Sequence, residues 1–222
     1  MIDFDYIANI RGERLTSKRN AVFLIKTGSG CFIKKQYADT ETLNREASAL
    51  ALLGAKGVSV PKVLHRSSNC CILEYLPGCT YVELTEKCTK DHPSALRDWF
   101  DDFYRAVPGK IKGDVNLRNF LYSDGKCFGV DFEEPMACGE PETDIGRLLA
   151  YFITYDPAFT LAKQKNASLY LTEFLKSGYC MQAIRCAFQT EIENMAARRG
   201  KSFCNKLIKA YSFFDRTERT FR

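Results

Sequence analysis

Gly113-Asp-Val-Asn-Leu-Arg-Asn119, followed by Val130-Asp-Phe-Glu133, concentrates the polar residues that point to the class of this chain. It supplies an aspartate, an asparagine five residues later and a second aspartate twelve residues after that. Transfer of a phosphate to a hydroxyl needs a carboxylate at the incoming hydroxyl and oxygen ligands for Mg²⁺ that face the phosphates. An Asp-x-x-x-x-Asn loop followed by a strand-borne aspartate provides both. The strands are expected at Phe120-Leu-Tyr122 and Cys127-Phe-Gly-Val130, joined by a turn at Ser123-Asp-Gly125.

Upstream, the pattern is that of a small sheet. Ala21-Val-Phe-Leu-Ile-Lys26 and Cys31-Phe-Ile-Lys-Lys-Gln-Tyr37 are rich in strand formers and flank the turn cluster Thr27-Gly-Ser-Gly30, which predicts a hairpin. Asp39 or Thr40 is placed to cap a helix from about Glu41 to Leu53, whose Leu43, Ala47, Leu50 and Ala51 share a face. Cys70-Cys-Ile-Leu-Glu-Tyr75 reads as another strand, ended by Pro77-Gly78. Downstream, helical spacing dominates. Ser94 is a candidate cap for a helix burying Leu96, Trp99, Phe100 and Phe103, and four more helices are expected between Asp144 and Phe214, the last over Phe203–Phe214. The expected class is α+β, with an antiparallel-sheet lobe holding one helix over residues 1–76 and a mainly helical lobe over residues 77–222.

The ordered set of motifs resembles the protein-kinase-like superfamily, in particular its aminoglycoside phosphotransferase and choline kinase branch. That branch has a loop reading H-G-D-x-x-x-x-N, then a metal-binding aspartate, then a turn with G-[DE]-P and a further aspartate. Cys138-Gly-Glu-Pro-Glu-Thr-Asp144 fits the last part. The resemblance covers roughly residues 20–150 and implies a two-lobed fold that uses ATP as co-substrate with Mg²⁺. It assigns Asp114 to the acceptor hydroxyl as the catalytic residue, Asn119 and Asp131 to the metal, and Lys34 to the α- and β-phosphates, positioned by Glu46. Glu74 and Leu76 would offer hinge backbone groups to the base, and Asp144 would brace the catalytic loop. Lys34 has a competitor in Lys35, because alternation sends the two to opposite faces. Lys34 is preferred because it shares a face with Phe32 and fits the spacing to Glu46. The family's histidine before Gly-Asp is Lys112 here. The loop before the first hairpin is poor in glycine, so phosphate would be held by Ser17, Lys18, Arg19 and backbone N–H groups.

Composition sets the remaining bounds. The chain has 222 residues, 45% hydrophobic and 27% charged, which excludes a disordered or collagen-like protein. Its apolar runs are far short of the roughly 20 residues that span a bilayer. The N-terminus lacks a signal-peptide layout, so the ten cysteines are expected to be thiols in a cytoplasm, with no membrane association. The net charge of +5 is unevenly spread: residues 77–150 carry nine Lys/Arg against fourteen Asp/Glu, and residues 151–222 carry twelve against six. The expected activity is transfer of the γ-phosphate to a hydroxyl of a small molecule. The basic last third, including Arg198, Arg199, Lys201, Lys206, Lys209, Arg216, Arg219 and Arg222, leaves two other readings open. One is an RNA-associated kinase-like ATPase of a tRNA-modification type complex, with tRNA as anionic partner. The other is a nucleotide-binding pseudokinase scaffold.

Overall fold

The computed structural model describes residues 2–17, 20–85, 91–200 and 213–214. The first lobe is a five-stranded antiparallel sheet with a helix on each face. Its elements are α1 (Phe4–Asn9), β1 (Glu13–Leu15), β2 (Ala21–Thr27), β3 (Gly30–Gln36), α2 (Thr40–Ala55), β4 (Val63–Arg66) and β5 (Cys70–Glu74). The strand order is β1-β2-β3-β5-β4. The predicted hairpin forms, with Ala21 opposite Gln36 and Thr27 opposite Gly30. Asp39 caps α2 by accepting a bond from the Thr42 N–H at 2.7 Å.

Side-chain alternation gives the sheet two unlike faces. Ile25, Phe32 and Ile72, with Phe23 beside them, pack on Ile7 and Phe4 of α1. Ile33, Cys71 and Leu73 point the other way, into the core that holds Leu43, Leu50 and Leu53 of α2. Removing each fully buried Leu or Ile from water contributes about 1.5–3 kcal/mol. The sequence predicts one helix in this lobe, and α1 is a second. Asp3 starts it, its carboxylate accepting the Tyr6 N–H at 2.9 Å.

The chain crosses to the second lobe through residues 75–78. A Cβ on Gly78 would lie 2.2 Å from the Tyr122 carbonyl oxygen, so only glycine fits this crossing. There follow β6 (Cys79–Thr80), α3 (Tyr81–Leu84), α4 (His92–Ala106), β7 (Lys110–Ile111), a 3₁₀ turn at Leu117–Asn119, β8 (Phe120–Ser123) and β9 (Lys126–Gly129). The chain continues through β10 (Ala137–Cys138), α5 (Pro141–Thr154), α6 (Leu161–Lys176) and α7 (Met181–Arg199). α4 buries the four residues predicted, but it starts at His92 with Pro93 in its first turn, and Ser94 Oγ donates to the Asp91 carbonyl at 2.9 Å instead of capping. α5 likewise starts at Pro141, ahead of Asp144. Of the expected last helix only Phe213 and Phe214 lie among the described residues. They are helical and buried, with the Phe214 ring centre 4.9 Å from that of Phe188. Lys201 and the later basic residues of the tail lie outside the described residues.

The lobes are joined at Ser59, whose carbonyl accepts from Trp99 Nε1 at 2.8 Å and from the Gly129 N–H at 3.1 Å. All eight described cysteines are free thiols. Among the described residues, no helix is long and apolar enough to cross a membrane.

Candidate active site

A cleft of about 640 Å³ opens between the lobes. Val22, Leu24 and Ile33 form its roof, on the sheet face away from α1, and Leu121 and Val130 form its floor. Leu76 and Glu74 line it at the crossing between lobes, and Ser17 lies at its rim. This apolar slot ends in a charged wall. Lys18 and Arg19, expected beside Ser17, lie outside the described residues.

The charged wall is built around Lys35. Its ammonium lies 2.7 Å from Glu46 Oε2, 2.9 Å from Asp131 Oδ1 and 2.6 Å from Glu133 Oε1. Burial disfavours the ammonium, but the three carboxylates overcome that and hold its pKa above the ordinary lysine value. Burial also acts on Asp131, yet Lys35 and Lys112 outweigh it and the carboxyl titrates below the usual range, whereas burial keeps Glu133 above its own. Glu46 is itself fixed: Tyr37 Oη donates to Oε2 at 2.9 Å and the Phe132 N–H to Oε1 at 3.2 Å. Glu133 accepts from Asn20 Nδ2 at 2.5 Å, and its carbonyl accepts from Arg45 at 2.9 Å. It is a buried cross-lobe tie.

The sequence assigned the Glu46 partner to Lys34, and the structure corrects this. Lys34 points to the opposite face, where its ammonium pairs with no carboxylate among the described residues. It donates to the carbonyls of Ala8 at 3.2 Å and Ile10 at 2.5 Å, closing the C-terminal end of α1. Sharing a face with Phe32 was the wrong criterion, because α1 covers that face. Lys34 does not line the cleft, and the pairing falls to Lys35.

The catalytic-type loop is braced from beneath. Asp144 is fully buried, and its carboxylate accepts the N–H groups of Lys112 at 2.7 Å and Gly113 at 3.0 Å, and Tyr104 Oη at 3.2 Å. Gly113 has φ of +80°, a left-handed conformation that turns the chain so that Asp114 enters the cleft. Asn119 lines the cleft too, its Nδ2 donating to the Asp114 carbonyl at 3.3 Å. Lys112 stands where the family histidine was expected. Its ammonium donates to the Asp131 carbonyl at 2.9 Å and lies 4.4 Å from the Phe132 ring centre. Asp131 has φ of +62°, uncommon for a non-glycine residue, and is held there by Lys112 at its carbonyl and Lys35 at its carboxylate. Lys112 thereby links the loop to the aspartate strand.

Burial lowers the Lys112 pKa against the pull of Asp114, Asp131 and Asp144. A lysine with a lowered folded-state pKa gains stability as pH rises toward the ordinary lysine range and loses it as pH falls through the lowered value. The melting temperature of the wild type minus that of Lys112→Met is therefore expected to grow on going from neutral to alkaline buffer. Parallel curves in a pH series of melts would contradict a Lys112 pKa lowered by burial.

The cleft thus gathers Ser17, Glu46, Glu74, Leu76, Asp114, Asn119 and Asp131 of the expected residues, and excludes Lys34. Residues 18–158 match the RIO domain. The chain belongs to the RIO-domain family. This match supports the protein-kinase-like superfamily that the motifs resemble, and the family it identifies is the RIO domain. Among curated proteins none matches the chain significantly. Three solved structures share the fold of this RIO protein at low identity. A Plasmodium vivax ethanolamine kinase superposes with TM-score 0.60 at 10% identity, over 96% of this chain and 84% of that one. ADP-bound aminoglycoside phosphotransferase APH(2'')-Ib gives 0.58 at 15% identity, over 96% of both chains. WaaP, in complex with acyl carrier protein, gives 0.54 at 15% identity, over 94% of this chain and 92% of that one. At such identities the likeness concerns the fold, and the two-lobed kinase-like architecture is common to all of them.

Proposed function

We propose that this RIO-domain protein is an ATP- and Mg²⁺-dependent phosphotransferase that moves the γ-phosphate to a hydroxyl of a small molecule. The observation that carries the reading is the meeting, in one cleft, of the Lys35–Glu46 ion pair with Asp114, Asn119 and Asp131. The apolar slot suits a base, with the backbone of Glu74 to Leu76 beside it. Lys35 would neutralise the α- and β-phosphates.

The residues fit a hard divalent cation. Asn119 and Asp131 offer oxygen donors to the cleft, and the Asp131 side chain is 39% exposed while those of Glu46 and Glu133 are 2% and 9% exposed. The three carboxylates of Glu46, Asp131 and Glu133 come close enough to hold an ion, but the Lys35 ammonium is bonded to all of them. The metal would therefore be held on the open side, by Asp131 and Asn119. A Mg²⁺ ion there supplies charge neutralisation for the phosphates. Asp114 would orient the acceptor hydroxyl and take its proton. The rest of the site acts through position: Asp144 fixes the loop, and Lys112 fixes the Asp131 backbone.

Ligands that bind only the folded state raise its melting temperature. At a hundredfold excess over Kd, Mg·ATP is expected to stabilise by about 2.7 kcal/mol, or about 5–10 °C for a chain of this size. Asp131→Ala should lose the Mg²⁺-dependent part of that shift. An undiminished Mg²⁺-dependent shift in the variant would remove Asp131 from the metal site.

A second reading, ATP hydrolysis coupled to an RNA partner, is favoured by the basic balance of residues 151–222, twelve Lys/Arg against six Asp/Glu. Salt-sensitive retardation of tRNA in a gel is its expected signature, and no retardation at low salt removes it.

A further inference from the structure

Among the described residues that line the cleft, Arg118 is the cation that the nucleotide reading leaves unused. It is exposed and lines the cleft with Asp114 and Asn116. Lys35 is already shared among three carboxylates. Arg118 makes no ion pair within the described residues, although Asp114, Asp131 and Glu134 line the same cleft.

What holds Arg118 is an aromatic ring. Its guanidinium carbon lies 5.8 Å from the ring centre of Tyr155, at the end of α5. The Tyr155 hydroxyl donates to Asn116 Oδ1, which also accepts the Arg118 N–H at 3.1 Å. Asn116 thus ties the Tyr155 hydroxyl to the Arg118 backbone N–H, and the guanidinium lies over the ring so placed. The wall continues in the same sense along α5, where Arg147, Tyr151 and Tyr155 recur every four residues on one face. The facing carboxylate, Glu191 of α7, is buried and already taken by Arg198 at 2.7 Å and Arg147 at 3.9 Å. The side of Asp114 toward α5 therefore carries surplus positive charge on an aromatic support.

Resting on the phosphotransferase reading above, we infer that the acceptor is an alcohol that already carries a phosphate group, and that Arg118, held by Tyr155 and Asn116, binds that phosphate. A guanidinium offers two parallel N–H donors to two phosphate oxygens, and it offsets the repulsion between an anionic acceptor and the triphosphate. The transfer balances simply. The acceptor oxygen bonds to the γ-phosphorus, the bond from that phosphorus to the β–γ bridging oxygen breaks, its electron pair leaves with ADP, and the hydroxyl proton passes to the Asp114 carboxylate. A neutral or cationic alcohol would leave the Arg118 guanidinium without a counter-ion.

The test is a calorimetric titration of phenyl phosphate into the full chain saturated with Mg²⁺ and a β,γ-imido ATP analogue, so that the nucleotide's own phosphate positions are filled. The wild type is expected to bind phenyl phosphate saturably. Arg118→Gln should weaken that binding about tenfold or more, and Arg118→Lys should recover part of it. The analogue's affinity should be the same in all three proteins. Absence of saturable binding, or equal binding in Arg118→Gln, overturns the inference. So does a loss confined to the analogue, which would assign Arg118 to the nucleotide. Displacement of phenyl phosphate by tRNA at lower concentrations than by glycerol 3-phosphate or ribose 5-phosphate also overturns it, in favour of an RNA backbone. Failure of the wild type to bind the analogue at all is a separate result: it overturns the phosphotransferase reading, while the phenyl phosphate titration without nucleotide still decides the anion site.

Discussion

Asp114→Asn is expected to lower kcat by about 10²–10⁴-fold while leaving the Mg·ATP thermal shift in place. Two carboxylates that line the cleft are held differently. Asp131 is bonded to Lys35, the lysine proposed to face the phosphates. Asp114 follows Gly113 on the loop that Asp144 braces, and the bond it receives from Asn119 goes to its backbone carbonyl. Asparagine keeps that backbone bond and the side-chain shape, so the loop and the nucleotide site survive. It removes the one carboxylate of the loop able to accept the hydroxyl proton. ATP consumption with acceptor, measured beside the thermal shift, separates the two effects. An unchanged kcat would take Asp114 out of the reaction. Loss of the nucleotide shift with kcat would make it part of the nucleotide site.

Much of this site was legible because its chemistry is concentrated in two short runs of sequence. Gly113 to Asn119 and Asp131 name their own residues, and a loop-bracing Asp144 was implied by the family resemblance. The hairpin and α2 were legible from turn residues, a cap and a single apolar face. What failed was a question of parity. Lys34 and Lys35 differ by one residue, and a strand gives that difference its full meaning only when the cover of each face is known. The cover is α1, six residues long, too short for periodicity to declare it. Asp3 as a cap with Phe4 and Ile7 on one side was the available signal. The contacts of Asn20, Tyr37 and Arg45 with the Lys35 cluster join residues far apart in the chain, and no local pattern announces them. Lys112 is a different case. Its position was plain, but a lysine reaching a backbone carbonyl in place of an imidazole is a property of the fold around it.

The sharpest consequence of that parity is a pair of adjacent substitutions with opposite profiles. Lys35→Met leaves Glu46, Asp131 and Glu133 facing one another without their shared cation, and stranding buried charge in this way costs about 3–5 kcal/mol. Nucleotide-induced stabilisation and turnover should both vanish. The deficit should also depend on pH. In the wild type, Asp131 has a lowered pKa, so its contribution is present above the ordinary carboxylate range and lost as pH falls through the lowered value. The variant lacks that contribution and is relieved as its carboxylates protonate. The two melting curves should therefore lie furthest apart near neutral pH and converge on acidification. Lys34→Met removes only the donors to Ala8 and Ile10 at the end of α1, a loss of about 1–3 kcal/mol. Its Mg·ATP shift and kcat should stay close to those of the wild type, because the side chain faces away from the cleft and the sheet and α2 still present Lys35 to Glu46. The reverse pattern, with Lys34→Met inactive and Lys35→Met normal, would overturn the assignment of the phosphate-side lysine and with it the geometry on which the nucleotide site rests.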